Sequence, residues 1–304
     1  MVNSAETAGL PVSSRCSPRC VCASSLCLSR ALTARFSSVR RLTVVCVMVI
    51  ACQPAPSPLR LGTTYTVQQS GVLAVLESLW TGPRFATVVA PSGQILRAAA
   101  SGDLDVVITH APALERRLLV GPGHALLRCP FVASRFAIVG PAADPARVAA
   151  AASAAAAFRR IAAVGGPFVS RGDSSGTHVK ELALWQAAGV IPGSHWRIES
   201  GADQAATLHL ADERDAYALA DLPTYARLRG LSLRILFVAD TALTNPYTLY
   251  VVRHPGAPAD AGGFARWATQ TGRAAIVGLR LPDSTPAFVV VTGACMTPPA
   301  AAAP

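Results

Sequence analysis

The chain has 304 residues, a formal net charge of +10, and 51% apolar against 14% charged residues. That length accommodates one large or two medium domains and excludes a minimal module. The composition excludes a wholly disordered chain, and the scattered placement of 23 Gly and 23 Pro excludes collagen. The cations are 26 Arg and the single Lys180, beside abundant Ala and Pro, which reads as GC-rich coding bias. No basic stripe interleaved with aromatics appears, so nucleic acid is not an expected partner.

The charge is uneven along the chain. Residues 1–51 carry six Arg (15, 19, 30, 35, 40 and 41) against Glu6, a surplus of +5. The other 253 residues carry 21 basic and 16 acidic groups, also +5. Such a mild surplus favours anionic ligands in a focused cleft.

Six of the eight cysteines precede residue 53: Cys16, Cys20, Cys22, Cys27, Cys46 and Cys52. The spacings from Cys16 to Cys27 are irregular and no His lies nearby, which argues against a zinc site. Arg40 and Arg41 precede an apolar run of 10 residues, Leu42 to Ala51. That run is too short for a permanent membrane span and has the layout of a secretory signal. It ends in Val49-Ile50-Ala51-Cys52, which resembles a bacterial lipobox and implies lipidation at Cys52, with plain secretion after cleavage near Ala51 as the alternative. Residues 1–52 are therefore read as leader, with 1–35 an upstream start-site artefact, and 53–58 as a Pro-rich tether.

From Leu59 onward strand and helix patterns alternate. Strands are expected at Leu59–Leu61, Phe85–Ala90, Leu104–Thr109, Arg135–Gly140, Phe168–Val169, Tyr217–Leu219, Leu233–Val238 and Tyr247–Val252, with a final apolar run at Phe288–Val291. Helices are expected through Val72, Leu73, Leu76, Leu79 and Trp80, over Ser92–Ala100, over the Ala-rich 149–157, from the loop after Val169 to Trp185, over Asp203–Ala211, and as two short pieces near 260–278. The alternation predicts an α/β protein with mostly parallel sheets flanked by helices. A body of this size predicts about two domains.

Three loops are rich in hydroxyls and lie between an expected strand and helix: Thr63-Thr64-Tyr65-Thr66, Pro91-Ser92-Gly93-Gln94, and Arg171 to Thr177. Such loops aim hydroxyls and backbone N–H groups at one point near a helix N-terminus, where negative charge is stabilised. Arg171 adds a permanent planar charge suited to oxyanions. Read singly, the first two are ordinary capping turns. The third also contains Gly172-Asp173-Ser174-Ser175-Gly176, a match to the G-x-S-x-G nucleophile elbow. That leaves open a serine hydrolase with Ser174 as nucleophile and His195, His209 or His254 as base.

Leu61-Gly62-Thr63-Thr64, Ser92-Gly93-Gln94, Ser170 to His178 with Lys180-Glu181-Leu182, and Asn245-Pro246-Tyr247-Thr248 together resemble the tungstate-binding proteins of bacterial ABC transporters. The resemblance runs from about Leu59 to about Leu279. It implies the periplasmic-binding-protein fold: two α/β lobes (59–139 with 245–292, and 140–244, followed by a tail at 293–304) joined by two crossing strands, with ligand held in the cleft between them. It also implies no catalysis, no cofactor and no metal ligands, extracytoplasmic placement, and permease and ATPase subunits as partners. Thr63, Thr64, Ser92 and the Gly93 N–H would donate to the anion from the first lobe. Arg171 would bring charge, and Ser175, Gly176 and Thr177 a helix N-terminus, from the second, with Asp173 holding Arg171. The first loop departs from the family's Thr-Thr-Thr-Ser at Tyr65, while Thr66 keeps a hydroxyl; Tyr65 either narrows the cleft or packs outward.

Phosphate-binding proteins of the same fold share the Arg-x-Asp-x-Ser-Gly-Thr string of Arg171–Thr177, so phosphate is the nearest alternative, with molybdate beside tungstate. A molybdate-type regulator would need a helix-turn-helix that residues 1–58 do not offer. Among the remaining groups, an oxidising compartment leaves a Cys129–Cys295 disulfide open. His110 and His124 have no metal-spaced partner and read as satisfied core or surface groups, and the four tryptophans read as core anchors.

Overall fold

The computed structural model describes residues 57–258 and 260–299. The expected leader, Cys52 and most of the tether lie outside the described residues, as does the Ala-rich end from 300. Among the described residues no helix is long and apolar enough to cross a membrane.

The first lobe opens with β1 (Leu59–Thr63), α1 (Tyr65–Gln69), α2 (Val72–Leu79), β2 (Phe85–Val89), α3 (Ser92–Ala100), β3 (Val106–Thr109) and α4 (Pro112–Glu115), which runs into a widened helical turn over Arg116–Val120. β4 (Ala125–Gly140) then crosses into the second lobe. There follow α5 (Ala154–Ala163), β5 (Phe168–Ser170), α6 (Gly176–Ala188), β6 (Arg197–Glu199), α7 (Gln204–Glu213), β7 (Tyr217–Asp221), α8 (Leu222–Arg227) and β8 (Arg234–Phe237). β9 (Thr244–Val252) returns to the first lobe, which closes with α9 (Asp260–Trp267), α10 (Arg273–Val277) and β10 (Val289–Val290).

Strand order is β2-β1-β3-β9-β4-β7-β5-β6. β4 changes sheets within its length: Ala125 to Arg135 pair with β9, and Phe136 to Val139 pair with β7. That change falls before the boundary expected after 139. The α/β class and the two lobes agree with expectation, but the sheets are mixed rather than mostly parallel. Parallel pairing is confined to β2-β1-β3 and β7-β5-β6. Those strands are linked by helical crossovers through α1–α2, α3, α6 and α7, as parallel neighbours require. β4 and β9 carry the chain between lobes without a crossover helix, and they pair antiparallel with each other and with β3 and β7.

Each sheet buries both faces through the two-residue alternation of its strands. In the first lobe Val106, Ile108, Leu249 and Val251 face a core shared with α2 and α9. Val107, Tyr250 and Val252 point the other way, onto α3 and the Arg116–Val120 turn. In the second, Phe136, Ile138, Tyr217 and Leu219 pack against α5 and α6, while Ala137, Val139, Ala218 and Ala220 face α7. The tryptophans anchor these cores: Trp80 and Trp267 pack with Phe264, and Trp185 meets Phe158, Phe168 and Trp196 edge-on or tilted.

Two segments differ from the sequence reading. β4 begins ten residues before the expected Arg135, and its register shifts between Pro130 and Val132, where proline cannot donate to the ladder. The Ala-rich run is not one helix. A short 3-10 turn over Val148–Ala150 stops, and Ser153 caps a new helix by accepting from Ala156 N. The segment expected as a tail from 293 is tied down: Cys295 is disulfide-bonded to Cys129 across 166 residues of sequence, and Met296 exchanges two backbone hydrogen bonds with Arg128.

Candidate functional site

The carboxyl ends of β2, β1 and β3 lie side by side and release the chain into the α3 start, the Thr64 loop and His110. The carboxyl end of β5 releases it into Arg171. Ligands of open α/β sheets sit beyond these ends, and the two lobes meet there. Gly176 N, at the start of α6, donates to Ser92 Oγ on α3 at 3.1 Å, a buried bond from one lobe to the other. Gly176 also abuts His110: a Cβ at this position would lie 2.6 Å from the imidazole and 2.8 Å from the His110 carbonyl oxygen. The backbone approach therefore requires glycine. A second bond joins the lobes further along, from Ala205 N on α7 to Gln69 Oε1 on α1, at 3.2 Å.

The third loop is built around one ion pair. Arg171 is 1% exposed. Its Nε donates to Ala202 O at 2.8 Å, its Nη2 is paired with Asp173 Oδ2, and its Nη1 is buried without a partner. Burial pulls the guanidinium pKa below its ordinary value, while Asp173 opposes the shift. Asp173 holds Arg171 as expected, and its Oδ1 accepts from Ser175 N at 3.0 Å. Gly172 and Ser174 both take positive φ, 61° and 59°, which turns the loop sharply into α6. Ser175 caps that helix, its Oγ accepting from His178 N at 3.2 Å. In the first turn Thr177 Oγ1 is buried and unpartnered. A buried guanidinium nitrogen and a buried hydroxyl without partners, beside a helix N-terminus, are donors set for an anion.

On the first lobe the two threonines divide their roles. Thr63 Oγ1 donates to Ile108 O at 3.2 Å, so its proton is used within the lobe. Thr64 Oγ1 accepts from Val67 N at 3.3 Å as the cap of α1, which leaves its own proton to donate. Ser92 is in the same position, accepting from Gly176 and free to donate. Thr66 is buried in α1, and Tyr65, at the first position of that helix, is half-buried. Gly93 is buried against Ser174, with room for a Cβ at 3.6 Å.

A serine nucleophile finds no base here. Ser174 is exposed and its backbone N–H donates to His178 Nδ1 at 3.1 Å. His254 is paired with Asp105 and Arg60 in the first lobe, His195 packs edge-on against Trp196, and His209 lies on α7. Among the described residues no His hydrogen-bonds the Ser174 hydroxyl, and no cluster of metal-ligating side chains occurs.

Sequence reasoning reads His110 as a satisfied core or surface group, and singles out Asn245 and Tyr247 only within a segment of the family resemblance, without the network they form. His110 Nδ1 lies 3.0 Å from Asn245 Oδ1, where β9 leaves the hinge. Asn245 Nδ2 donates to Ser134 Oγ and Asp221 Oδ1, and Tyr247 OH and Thr224 also donate to Asp221. This buried chain joins the cleft, both hinge strands and the second lobe. For His110 itself the one signal in sequence is its position directly after a strand.

A model of the PBP superfamily domain matches residues 53–271. The chain belongs to the PBP superfamily. This PBP-superfamily chain is similar to the crystal structure of the tungstate ABC transporter from Geobacter sulfurreducens. Identity is 37%, 74% of this chain and 100% of that one are covered, and the TM-score is 0.67. It is also 35% identical over 193 residues to the tungstate-binding protein TupA of Peptoclostridium acidaminophilum, covering 62% of this chain and 67% of that protein. A Haloferax volcanii protein named as an ABC-transporter anion-binding protein is 38% identical over 198 residues, 62% of this chain. The match spans 58% of the length of that relative.

Proposed function

We propose that this protein is an extracytoplasmic solute-binding component of an ABC importer that captures tungstate between its two lobes. It is a binding protein and performs no catalysis. The observation that carries the reading is the pair of buried, unpartnered donors, Arg171 Nη1 and Thr177 Oγ1, on the turn whose Gly176 N–H meets Ser92 of the opposite lobe. Thr64, Ser92 and the Gly93 N–H would bind the anion from the first lobe; Arg171 with the Ser175-Gly176-Thr177 turn would bind it from the second. Thr63 and Asp173 position these groups, and Tyr65 and Thr66 bound the first loop.

The wider resemblance around the third loop, including His178 and Lys180-Glu181-Leu182, supports tungstate over phosphate. Asp173 is engaged by Arg171 through one oxygen and by Ser175 N through the other, the Arg-positioning role that a donor-lined site for a deprotonated dianion gives it. Tungstate and molybdate present the same tetrahedral dianion to these donors. Titration calorimetry of the purified protein with tungstate, molybdate, sulfate and phosphate tests the reading. The expected order places tungstate first, molybdate near it, and sulfate and phosphate far weaker. Phosphate as the tightest ligand, or four flat titrations, would overturn it.

Delivery to an importer requires the protein outside the cytoplasm, and the Val49-Ile50-Ala51-Cys52 signature supports lipidation at Cys52 as the anchor. Cys52→Ala should then move the protein from the detergent phase to the aqueous phase. Retention in the detergent phase would remove the anchor from the proposal. The permease and ATPase subunits are the implied partners.

A further inference from the structure

His110 is 2% exposed and lies at the meeting point of the lobes, against the first residue of α6. Its hydrogen-bond partner fixes its tautomer. Asn245 Nδ2 already donates to Ser134 Oγ at 3.1 Å and to Asp221 Oδ1 at 3.0 Å, so Asn245 Oδ1 is the atom that faces the ring. His110 Nδ1 must therefore carry hydrogen, and the neutral ring presents a bare lone pair at Nε2. That Nε2 is buried and has no partner.

We propose that His110 is a further anion-contacting residue of this cleft, taking a proton from solvent onto Nε2 as a deprotonated dianion enters, so that capture is coupled to proton uptake. The inference rests on the anion-binding reading of the cleft. The charge balance supports it. The Arg171 charge is offset by Asp173 at close range, so the loop that meets His110 carries no net charge toward a dianion. Two negative charges brought against a neutral imidazole stabilise its protonated form, and the new N–H becomes a donor.

The groups facing His110 come from four directions. Arg171 and Asp173 lie on the loop before α6 and act on it with opposite sign. Tyr247 of β9 stacks on the ring at 5.3 Å, and Asp221, at the end of β7, is reached through Asn245. Phe136 of β4 supplies an apolar wall at 6.4 Å. Burial among these pushes the imidazole down to about 4, so before the anion enters the closed cleft holds it neutral at pH 7. Asn245 holds Nδ1–H in both protonation states, which leaves Nε2 as the only nitrogen that changes.

The test is calorimetric titration of the purified protein with sodium tungstate at pH 7.5 in HEPES and in Tris, whose ionisation enthalpies differ. The expected result is a buffer-dependent heat corresponding to uptake of up to about one proton per anion, with affinity falling as pH rises from 6 to 8. His110→Asn keeps a donor for Asn245 but has nothing at Nε2. It should bind at least tenfold more weakly, with buffer-independent heat. His110→Gln places a permanent amide at the Nε2 position and should recover part of the affinity without proton uptake. Tight binding by the unaltered protein with equal heats in both buffers would overturn the proposal while leaving the anion cleft standing. Unchanged affinity in His110→Asn would do the same. Failure of the unaltered protein to bind tungstate would overturn both.

Discussion

Removing the Arg171 guanidinium should act twice, and the two effects separate experimentally. Nη1 is the donor left for a ligand, and a hydrogen bond to a charged group contributes about 1.5–3 kcal/mol. Its loss corresponds to roughly a ten- to hundredfold weaker dissociation constant. The remaining nitrogens are structural: Nε holds Ala202 O at 2.8 Å and Nη2 holds Asp173. Arg171→Ala would leave the mostly buried Asp173 carboxylate without its counter-charge, which destabilises by about 3–5 kcal/mol where burial is deep. Arg171→Ala/Asp173→Ala removes both members of the pair and should regain much of that stability without regaining affinity. Calorimetry with tungstate and urea unfolding on the three proteins decide the matter. A folded Arg171→Ala that binds tungstate as tightly as the parent would refute the placement of Nη1 at the ligand. A double variant whose affinity recovers would show that Arg171 acts only through Asp173.

Gly176→Ala should weaken tungstate binding more than tenfold with little change in the unfolding midpoint of the ligand-free protein, because the added Cβ meets His110 only when the lobes are together; equal affinity by calorimetry would remove this contact from closure. Cys129→Ala/Cys295→Ala should lower the unfolding free energy by about 2–5 kcal/mol, since the bond closes a long loop in the unfolded chain, and should leave tungstate affinity unchanged. Denaturant titration checks the first part, and a loss below 0.5 kcal/mol would argue that the segment after β10 is held by other contacts. Glu181 is buried behind Arg171, and burial pushes its carboxyl up to about 7. The folded state therefore keeps a proton that the unfolded chain releases above its ordinary value of 4.5, and stability falls as pH rises from there through about 7. Glu181→Gln should flatten that slope in unfolding free energies measured from pH 4.5 to 8; an unaltered slope would assign it to other groups.

Much of this was legible because its physics is local. The hydroxyl loops after Leu61, Ala90 and Val169 stand between strand and helix patterns, and all three lie at the shared edge of the lobes. The roles within them were less legible. Nothing in Thr63-Thr64 says that one hydroxyl turns to the Ile108 carbonyl while its neighbour caps α1, because strand pairing with β3 decides it. The strand expected at Arg135–Gly140 is only the end of β4: Cys129-Pro130 and Ser134 break the apolar pattern before it, yet the strand runs through them, with a register shift against β9 between Pro130 and Val132. The alanines from 149 have high helix propensity throughout, and Ser153 still divides them, since a cap bond to Ala156 N outweighs a small propensity difference. His110 was hidden for another reason: a single histidine after a strand has no spacing partner in sequence. Its partners, Asn245 and Gly176, are supplied by the hinge and by the opposite lobe.

On the proposed anion-binding reading, the groups that recognise the anion are also placed to control closure. The direct bonds Gly176 N to Ser92 Oγ and Ala205 N to Gln69 Oε1 are each between neutral groups, worth about 0.5–1.5 kcal/mol apiece. A dianion engaged by Arg171 and Thr177 from one lobe and by Thr64 and Ser92 from the other makes several charge-assisted bonds, each about twice as strong. A ligand shifts a conformational equilibrium only by its differential affinity for the two states. In the proposed site nearly all of that difference would arise because the donors of one lobe reach the anion only when the other lobe is in place. The sharing of Ser92 makes this concrete: its oxygen accepts from the opposite lobe while its proton is free for the ligand. Affinity and closure would then be one quantity measured two ways, and the buried chain from His110 through Asn245 to Asp221 runs through both strands that join the lobes.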